Sequence, residues 1–280
     1  MITFSFSPRR KSTFPSIAAS VSTFVVSWNE AAEMKLSVDN AADVMPSSTG
    51  SDVAGSASRA STVFFPRFFR STLSSLTLSF ASSWPVAAIV AENGAVALIP
   101  DGAALRIEYA QDEATRSRNA ERLRRVAQRL QLEIPSATLA RDSAGRVTDI
   151  AVDHSEFAHL DAAAIGQVVA LMQAEGMTAT VSSIHVNGWF GSHTKLSAAH
   201  WMLQRLYGRE LAGEIGRWIY VGDSTNDQAM FGAFALSVGV ANLRRFAAEL
   251  HTWPAYITAG ERGEGFAEVA RALLAAREAA

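Results

Sequence analysis

Two carboxylates and an amide crowd one short stretch, Gly222-Asp223-Ser224-Thr225-Asn226-Asp227, directly after the apolar run Trp218-Ile219-Tyr220-Val221. A short apolar run ending in glycine predicts a buried strand and then a sharp turn. Helical sequence follows, so Asp223 and Asp227 fall at the carboxyl end of a strand and the amino end of a helix. That is the ligand side of an open parallel sheet. Hard oxygen ligands there suit Mg²⁺, which takes one or two carboxylates and completes its shell with water and phosphate oxygens. Asp223 and Asp227 are therefore candidate metal ligands. A plainer alternative stands beside this one, in which Ser224 or Thr225 caps the helix and the acids complement its dipole. Both can hold at once. A calcium EF-hand is excluded, because Gln228 occupies the required glycine position and Phe234 that of the bidentate glutamate. A P-loop is excluded too, since Gly191-Ser-His-Thr-Lys195 has the wrong spacing.

Lys195 opens a predicted helix over 196–207, just after the turn-like stretch 187–191. From there its ammonium can reach the sheet edge and meet an anion held through Asp223. His185, Asn187, Gly188 and Trp189 precede it and, with Ser224, are candidates to line a substrate cleft. Asp153, His154 and Glu156 follow another predicted strand, and His185, Asp153 and His154 suggest a second metal without fixing its spacing.

The elements that must carry these groups follow from periodicity. The runs 86–90 and 95–99 predict two strands around the turn Glu92-Asn93-Gly94, and Pro100-Asp101-Gly102 turns the chain again. Apolar positions Ala120, Leu123, Ala127 and Leu130 predict an amphipathic helix over 112–131, whose arginines share its surface with Asp112, Glu113 and Glu121. Strands at 147–152 and 178–186 flank a helix marked by Ile165, Val168, Val169 and Met172. After 218–221 come a short helix near 228–231, a strand at 234–240, a helix at 243–250, a strand at 255–258 and a helix at 266–277. This alternation predicts an α/β fold with a parallel sheet covered by helices.

The whole chain has 280 residues, 49% hydrophobic and 19% charged, the composition of a packed protein. A formal charge of -2 gives no basic field for a nucleic-acid backbone, so a small molecule is the expected partner. With no cysteine, thiolate chemistry and Cys-ligated zinc are excluded, and nothing asks for an oxidising compartment, so a cytoplasmic protein is expected. The stretch 71–91 is uncharged, but its serines, threonines and Pro85 dilute it below a membrane span, so no membrane partner is expected. Composition breaks near residue 84. Of 30 serines, 20 lie before Trp84, against five of the 27 acidic residues, and no sustained apolar period crosses that segment. Residues 1–83 are therefore expected to be mistranslated from another frame or disordered, and to contribute no core strand.

Glu92-Asn93-Gly94-Ala95, Lys195-Leu-Ser-Ala198 and Gly222-Asp-Ser-Thr-Asn-Asp-Gln-Ala-Met230, in this order, resemble the haloacid-dehalogenase superfamily, type IIB, the branch of sucrose-phosphate and Cof-type sugar phosphatases. Gly239-Val-Ala-Asn242 and Gly263-Glu-Gly-Phe266 add to the resemblance, which spans about 84–280. It implies a Rossmann-like core, 84–99 and 187–280, with an α/β cap inserted at 100–186. It further implies Mg²⁺-dependent hydrolysis of a small phosphomonoester, a sugar phosphate by kinship. Lys195 would neutralise the phosphate and Asp223 would bind magnesium, while Asn226 and Asp227 would hold metal, phosphate and lysine in place. One departure is plain. The family's nucleophile lies in an N-terminal strand ending in Asp-x-Asp, and no such motif occurs in this chain. A non-catalytic relative that keeps ligand binding is the alternative.

Overall fold

The computed structural model describes residues 23–26, 87–101 and 104–278. Among these residues three sheets carry the architecture. The first has strand order β1-β9-β10-β11, from β1 (Thr23–Val26), β9 (Trp218–Gly222), β10 (Leu236–Gly239) and β11 (Tyr256–Ile257), all parallel. β9 is apolar at every position before its glycine because helices cover both faces of this sheet. Ile219 and Val221 point to one face, where Val269 and Leu273 of α6 (Arg262–Glu278) pack. Trp218 and Tyr220 point to the other and meet Leu203 of α3 (Lys195–Tyr207), Leu211 of the short α4 (Leu211–Glu214), and Met230 and Phe231 of α5 (Gln228–Ala233).

β1 corrects one expectation. The segment before residue 84 does contribute a core strand: Thr23 to Val26 pair in parallel with Trp218 to Val221, residue for residue. The serines around Thr23-Phe-Val-Val26 hid it, since four residues are too few to show a period. The rest of the expectation for 1–83 lies outside the described residues.

The second sheet is antiparallel, β2 (Ile89–Ala91), β3 (Val96–Asp101) and β4 (Ala104–Tyr109), with Ile99 and Ala97 of β3 packed on Met202 of α3. The third is antiparallel as well, in the order β5-β6-β8-β7, from β5 (Thr138–Leu139), β6 (Asp149–Asp153), β7 (Thr178–Val181) and β8 (His185–Trp189). Helices α1 (Glu113–Glu133) and α2 (Ala162–Ala174) cover one face through Leu123, Val126, Leu130, Val168 and Met172, which pack on Ile150, Val152 and Val186. Asp112 caps α1 by accepting from Thr115 N at 2.8 Å, and Asp161 caps α2 by accepting from Ala164 N at 2.8 Å. Strand alternation sends the polar set Asp149, Asp153, His185, Asn187 and Trp189 to the opposite face.

Two local expectations change. The stretch 178–186 is a hairpin, because Ser182 Oγ donates to His185 O at 3.0 Å and accepts from His185 N at 3.1 Å, closing a turn at Ser183 and Ile184. The turn-like stretch 187–191 is largely strand, since Val186 is drawn into the core beneath α2 and carries its neighbours into register with β6. Similarly, 243–250 forms 3-10 turns over Ala241–Phe246 instead of an α-helix. Among the described residues, no helix is long and apolar enough to cross a membrane.

Candidate active site at the end of strand β9

Gly222 ends β9 with a carboxylate folded back over it. A Cβ there would stand 2.7 Å from Asp227 Oδ2, so only glycine lets the loop close. Asp227 is fully buried, and both of its oxygens are engaged. Oδ2 accepts from Asp223 N at 2.9 Å and Ser224 N at 3.1 Å, which ties the turn Ser224–Asp227 as a capping box. Oδ1 accepts from Lys195 Nζ at 2.6 Å and from Tyr220 Oη at 2.6 Å.

Lys195 is the first residue of α3, which Thr194 caps through a reciprocal bond pattern with Ser197. That placement aims its side chain across to the loop, where Nζ also donates to Asn226 Oδ1 at 2.9 Å. Ser224 Oγ donates to the same amide oxygen at 2.8 Å. Two donors on Oδ1 fix the amide's orientation and leave Nδ2 to find its own acceptor. Among the described residues that buried Nδ2 has no hydrogen-bond partner. A buried N–H donor without an acceptor is costly. An ammonium has three N–H groups, and Asn226 and Asp227 take two of Lys195's. Asp223 is 3% exposed at the strand end, three residues before Asn226. Lys195, Asp223, Ser224, Asn226 and Asp227 thus come together in one hydrogen-bonded group.

The substrate candidates on β8 belong to the third sheet. Gly188 faces Met172 and Met177, where a Cβ would stand 2.6 Å from the Met172 sulfur. Trp189 is buried, and its indole Nε1 donates to His193 O at 3.1 Å. Asn187 is buried on the polar face with His185, opposite Thr180 of β7. A hydrogen bond joins that sheet to the loop, where Thr225 Oγ1 donates to Val181 O at 2.9 Å.

The cluster around His185 is closed on itself. Asp153 accepts from the backbone N–H of Glu156, Phe157 and Ala158 at 2.9, 2.9 and 3.2 Å. Burial alone would raise its carboxyl, but those three N–H bonds hold it below the usual carboxylate range. His154 Nε2 lies 3.0 Å from Ser182 O, and His185 Nε2 lies 3.1 Å from Glu156 Oε2. Burial lowers the His185 pKa. Among the described residues, no group of three or more His, Cys, Asp or Glu is arranged to hold a metal, so the second metal suggested by His185, Asp153 and His154 finds no support.

Sequence reasoning missed two sets of residues. Tyr220, two positions before Gly222 and read only as core, holds Asp227 from beneath; its spacing to the glycine was the available signal. Glu92-Asn93-Gly94 is more than a turn. Its backbone takes three successive positive φ angles, 50°, 56° and 104°, and a Cβ on Gly94 would stand 2.4 Å from Thr194 O, at the cap of the Lys195 helix. Its side chains reach the third sheet: Glu92 accepts from Val147 N, Thr148 N and Thr148 Oγ1, and Asn93 Nδ2 donates to Asp149 Oδ2 at 2.8 Å. Arg146 pairs with Asp149 at 3.0 Å and with Asp142 at 2.9 Å.

No family model matches the chain, and no curated protein matches it. Among solved structures, a Thermoplasma acidophilum protein superposes over 73% of this chain and 80% of its own, with a TM-score of 0.51 and 15% identity. The sucrose-phosphatase of Synechocystis sp., solved with sucrose and phosphate, covers 65% of this chain and 71% of its own, at TM-score 0.46 and 17% identity. The C-terminal domain of a Candida albicans trehalose-6-phosphate phosphatase covers 69% and 72%, at 0.43 and 11%. At these identities the likeness is one of fold, a mixed α/β architecture.

Proposed function

We propose that the Lys195–Asp223–Asn226–Asp227 group is the phosphate-binding part of a Mg²⁺-dependent phosphomonoester hydrolase site. Its ligand is a small phosphorylated metabolite, a sugar phosphate by resemblance. One observation carries this: a buried amide donor, Asn226 Nδ2, lacks an acceptor beside an ammonium whose remaining N–H is uncommitted to Asn226 or Asp227. An amide donor beside an ammonium fits an anionic oxygen. The residues also fit the metal in a restricted way. Asp223, buried at the strand end, would hold Mg²⁺, which takes few carboxylates and supplies charge neutralisation to a phosphoryl group. We assign Asp227 a positioning role instead, because its oxygens already serve Lys195, Tyr220 and two backbone N–H groups.

Lys195 then neutralises a phosphoryl oxygen while Asp227 and Asn226 hold its ammonium in place. Asn226 donates to a second oxygen. The third sheet with α1 and α2 serves as the cap, and the parallel sheet with its helices serves as the core. Thr180 and Asn187, paired across β7 and β8, would receive a hydroxyl-rich group on the ester's far side. A second reading has its own observation. Strand β1 pairs with β9, but the residues that follow it in sequence are Ser27, Trp28 and Asn29, and no Asp-x-Asp occurs anywhere in the chain. Without that nucleophile, the protein is a ligand-binding or regulatory relative. Hydrolysis of p-nitrophenyl phosphate with and without Mg²⁺ separates the two. Metal-dependent turnover that vanishes in Asp223→Ala establishes the hydrolase and reveals another nucleophile; phosphate binding without turnover establishes the non-catalytic relative.

A further inference from the structure

Glu92, Asn93 and Gly94 stand between the helix that carries Lys195 and the third sheet. On one side Gly94 packs against the first turn of α3, where a Cβ would stand 2.4 Å from Thr194 O and 3.1 Å from the Ala198 Cβ. Thr194 O is the carbonyl that accepts from Ala198 N at 3.0 Å, so the turn rests on the bond that starts the helix, one residue before Lys195. On the other side Glu92 accepts from Val147 N at 3.0 Å and Thr148 N at 2.6 Å, and Asn93 Nδ2 donates to Asp149 Oδ2 at 2.8 Å. With φ angles of 50°, 56° and 104°, the three residues occupy narrow backbone wells. Such a turn cannot move at one contact without moving at the other.

Charge in this joint is uneven. Asp149, whose side chain is fully buried, and Asp142 both pair with Arg146, at 3.0 and 2.9 Å. Glu92 is the third carboxylate, and its own donors, from Val147 and Thr148, are uncharged. The remaining titratable groups around it are Tyr109 of β4, which feels the Glu92 charge, and His193, between β8 and α3, which feels that of Asp149 and is kept neutral by burial. Burial first, and Asp149 second, push the Glu92 carboxyl up to about 7.

We propose that Glu92 is a positioning residue for Lys195: as the neutral acid it holds the turn firmly between the third sheet and α3, and as the carboxylate it is repelled by Asp149, so that the turn shifts and the Lys195 ammonium with it. The joint binds the proton more tightly than a hydrated carboxyl does, so it is firm at low pH and loosens as pH rises through about 7. The consequence for an anion at the β9 loop rests on the phosphate site proposed above. The coupling of Glu92 to Lys195 does not.

The test is a pH titration of the full chain without ligand, read from the ¹H–¹⁵N signals of the Asn226 side-chain amide, whose Oδ1 accepts from Lys195 Nζ at 2.9 Å. The wild type is expected to show an inflection near pH 7 that Glu92→Gln lacks. Thr148→Val removes a hydroxyl that favours the ionised carboxyl, so it is expected to move the inflection to higher pH, and it decides the matter should Glu92→Gln fail to fold. Calorimetry with sulfate, a tetrahedral dianion whose charge is constant across neutral pH, is the ligand arm. Its affinity is expected to fall through about pH 7 in the wild type and to lose that fall in Glu92→Gln. An Asn226 titration that is the same in wild type and Glu92→Gln overturns the proposal, as do an inflection unmoved in Thr148→Val and a sulfate affinity with the same pH dependence in both proteins. Failure of sulfate to bind at any pH counts against the phosphate site, and the amide titration then decides the coupling by itself.

Discussion

Glu92→Gln should change how stability depends on pH. Burial first, and the negative charge of Asp149 second, push the Glu92 carboxyl up to about 7, although Thr148 and Val147 donate to it. The charge facing it is that of Asp149, held by Arg146, while the nearby Tyr109 hydroxyl stays neutral because its own pKa is raised, by burial first. In the unfolded chain the same carboxyl ionises near its ordinary value of 4.5. Between those values the folded state binds the extra proton, so this group's contribution falls as pH rises through the window and is level above about 7. At about 1.36 kcal/mol per pH unit, the change across the window is roughly 3 kcal/mol. Glutamine keeps the shape and one acceptor oxygen but cannot ionise. Urea unfolding at intervals from pH 4.5 to 8 measures the difference between the two proteins. The variant should gain on the wild type by roughly 3 kcal/mol across the window. A difference that stays constant with pH would refute the reasoning.

Two further outcomes follow from the same geometry. Asp227→Asn leaves the Lys195 ammonium without its buried counter-charge and sets an amide N–H against existing donors, so it should cost about 3–5 kcal/mol in urea unfolding. Tyr220→Phe removes one hydrogen bond to that carboxylate and should cost about 2 kcal/mol while leaving the strand packed, since the ring keeps its contacts with Phe231 and Phe234.

The parallel core was legible wherever burial imposes a pattern. β9 and β10 announce themselves by apolar runs, and the β9 loop by carboxylates that a core strand has no other use for. Lys195 was legible because it opens a helix on the same side. What escaped was whatever depends on pairing between distant segments. β4 reads as Leu-Arg-Ile-Glu and takes its strand form from β3, with Arg106 and Arg205 both reaching Glu108. β1 is four residues long and is a strand because β9 offers it an edge. Asn187 to Trp189 looked like a turn because glycine and asparagine favour turns, whereas here glycine makes room for Met172. The Glu92 contacts could not be foreseen, because residues 55 or more positions apart meet there.

The central claim is that the β9 loop holds a phosphate oxygen between Lys195, Asn226 Nδ2 and a cation on Asp223. Calorimetric titration with inorganic phosphate, with and without Mg²⁺, tests it directly. The wild type should bind and bind more tightly with Mg²⁺; Asn226→Ala should weaken binding about tenfold for the lost charge-assisted bond, and Asp223→Asn should remove the metal's effect. Absence of binding by the wild type, or variants that bind as well as it does, would contradict the account.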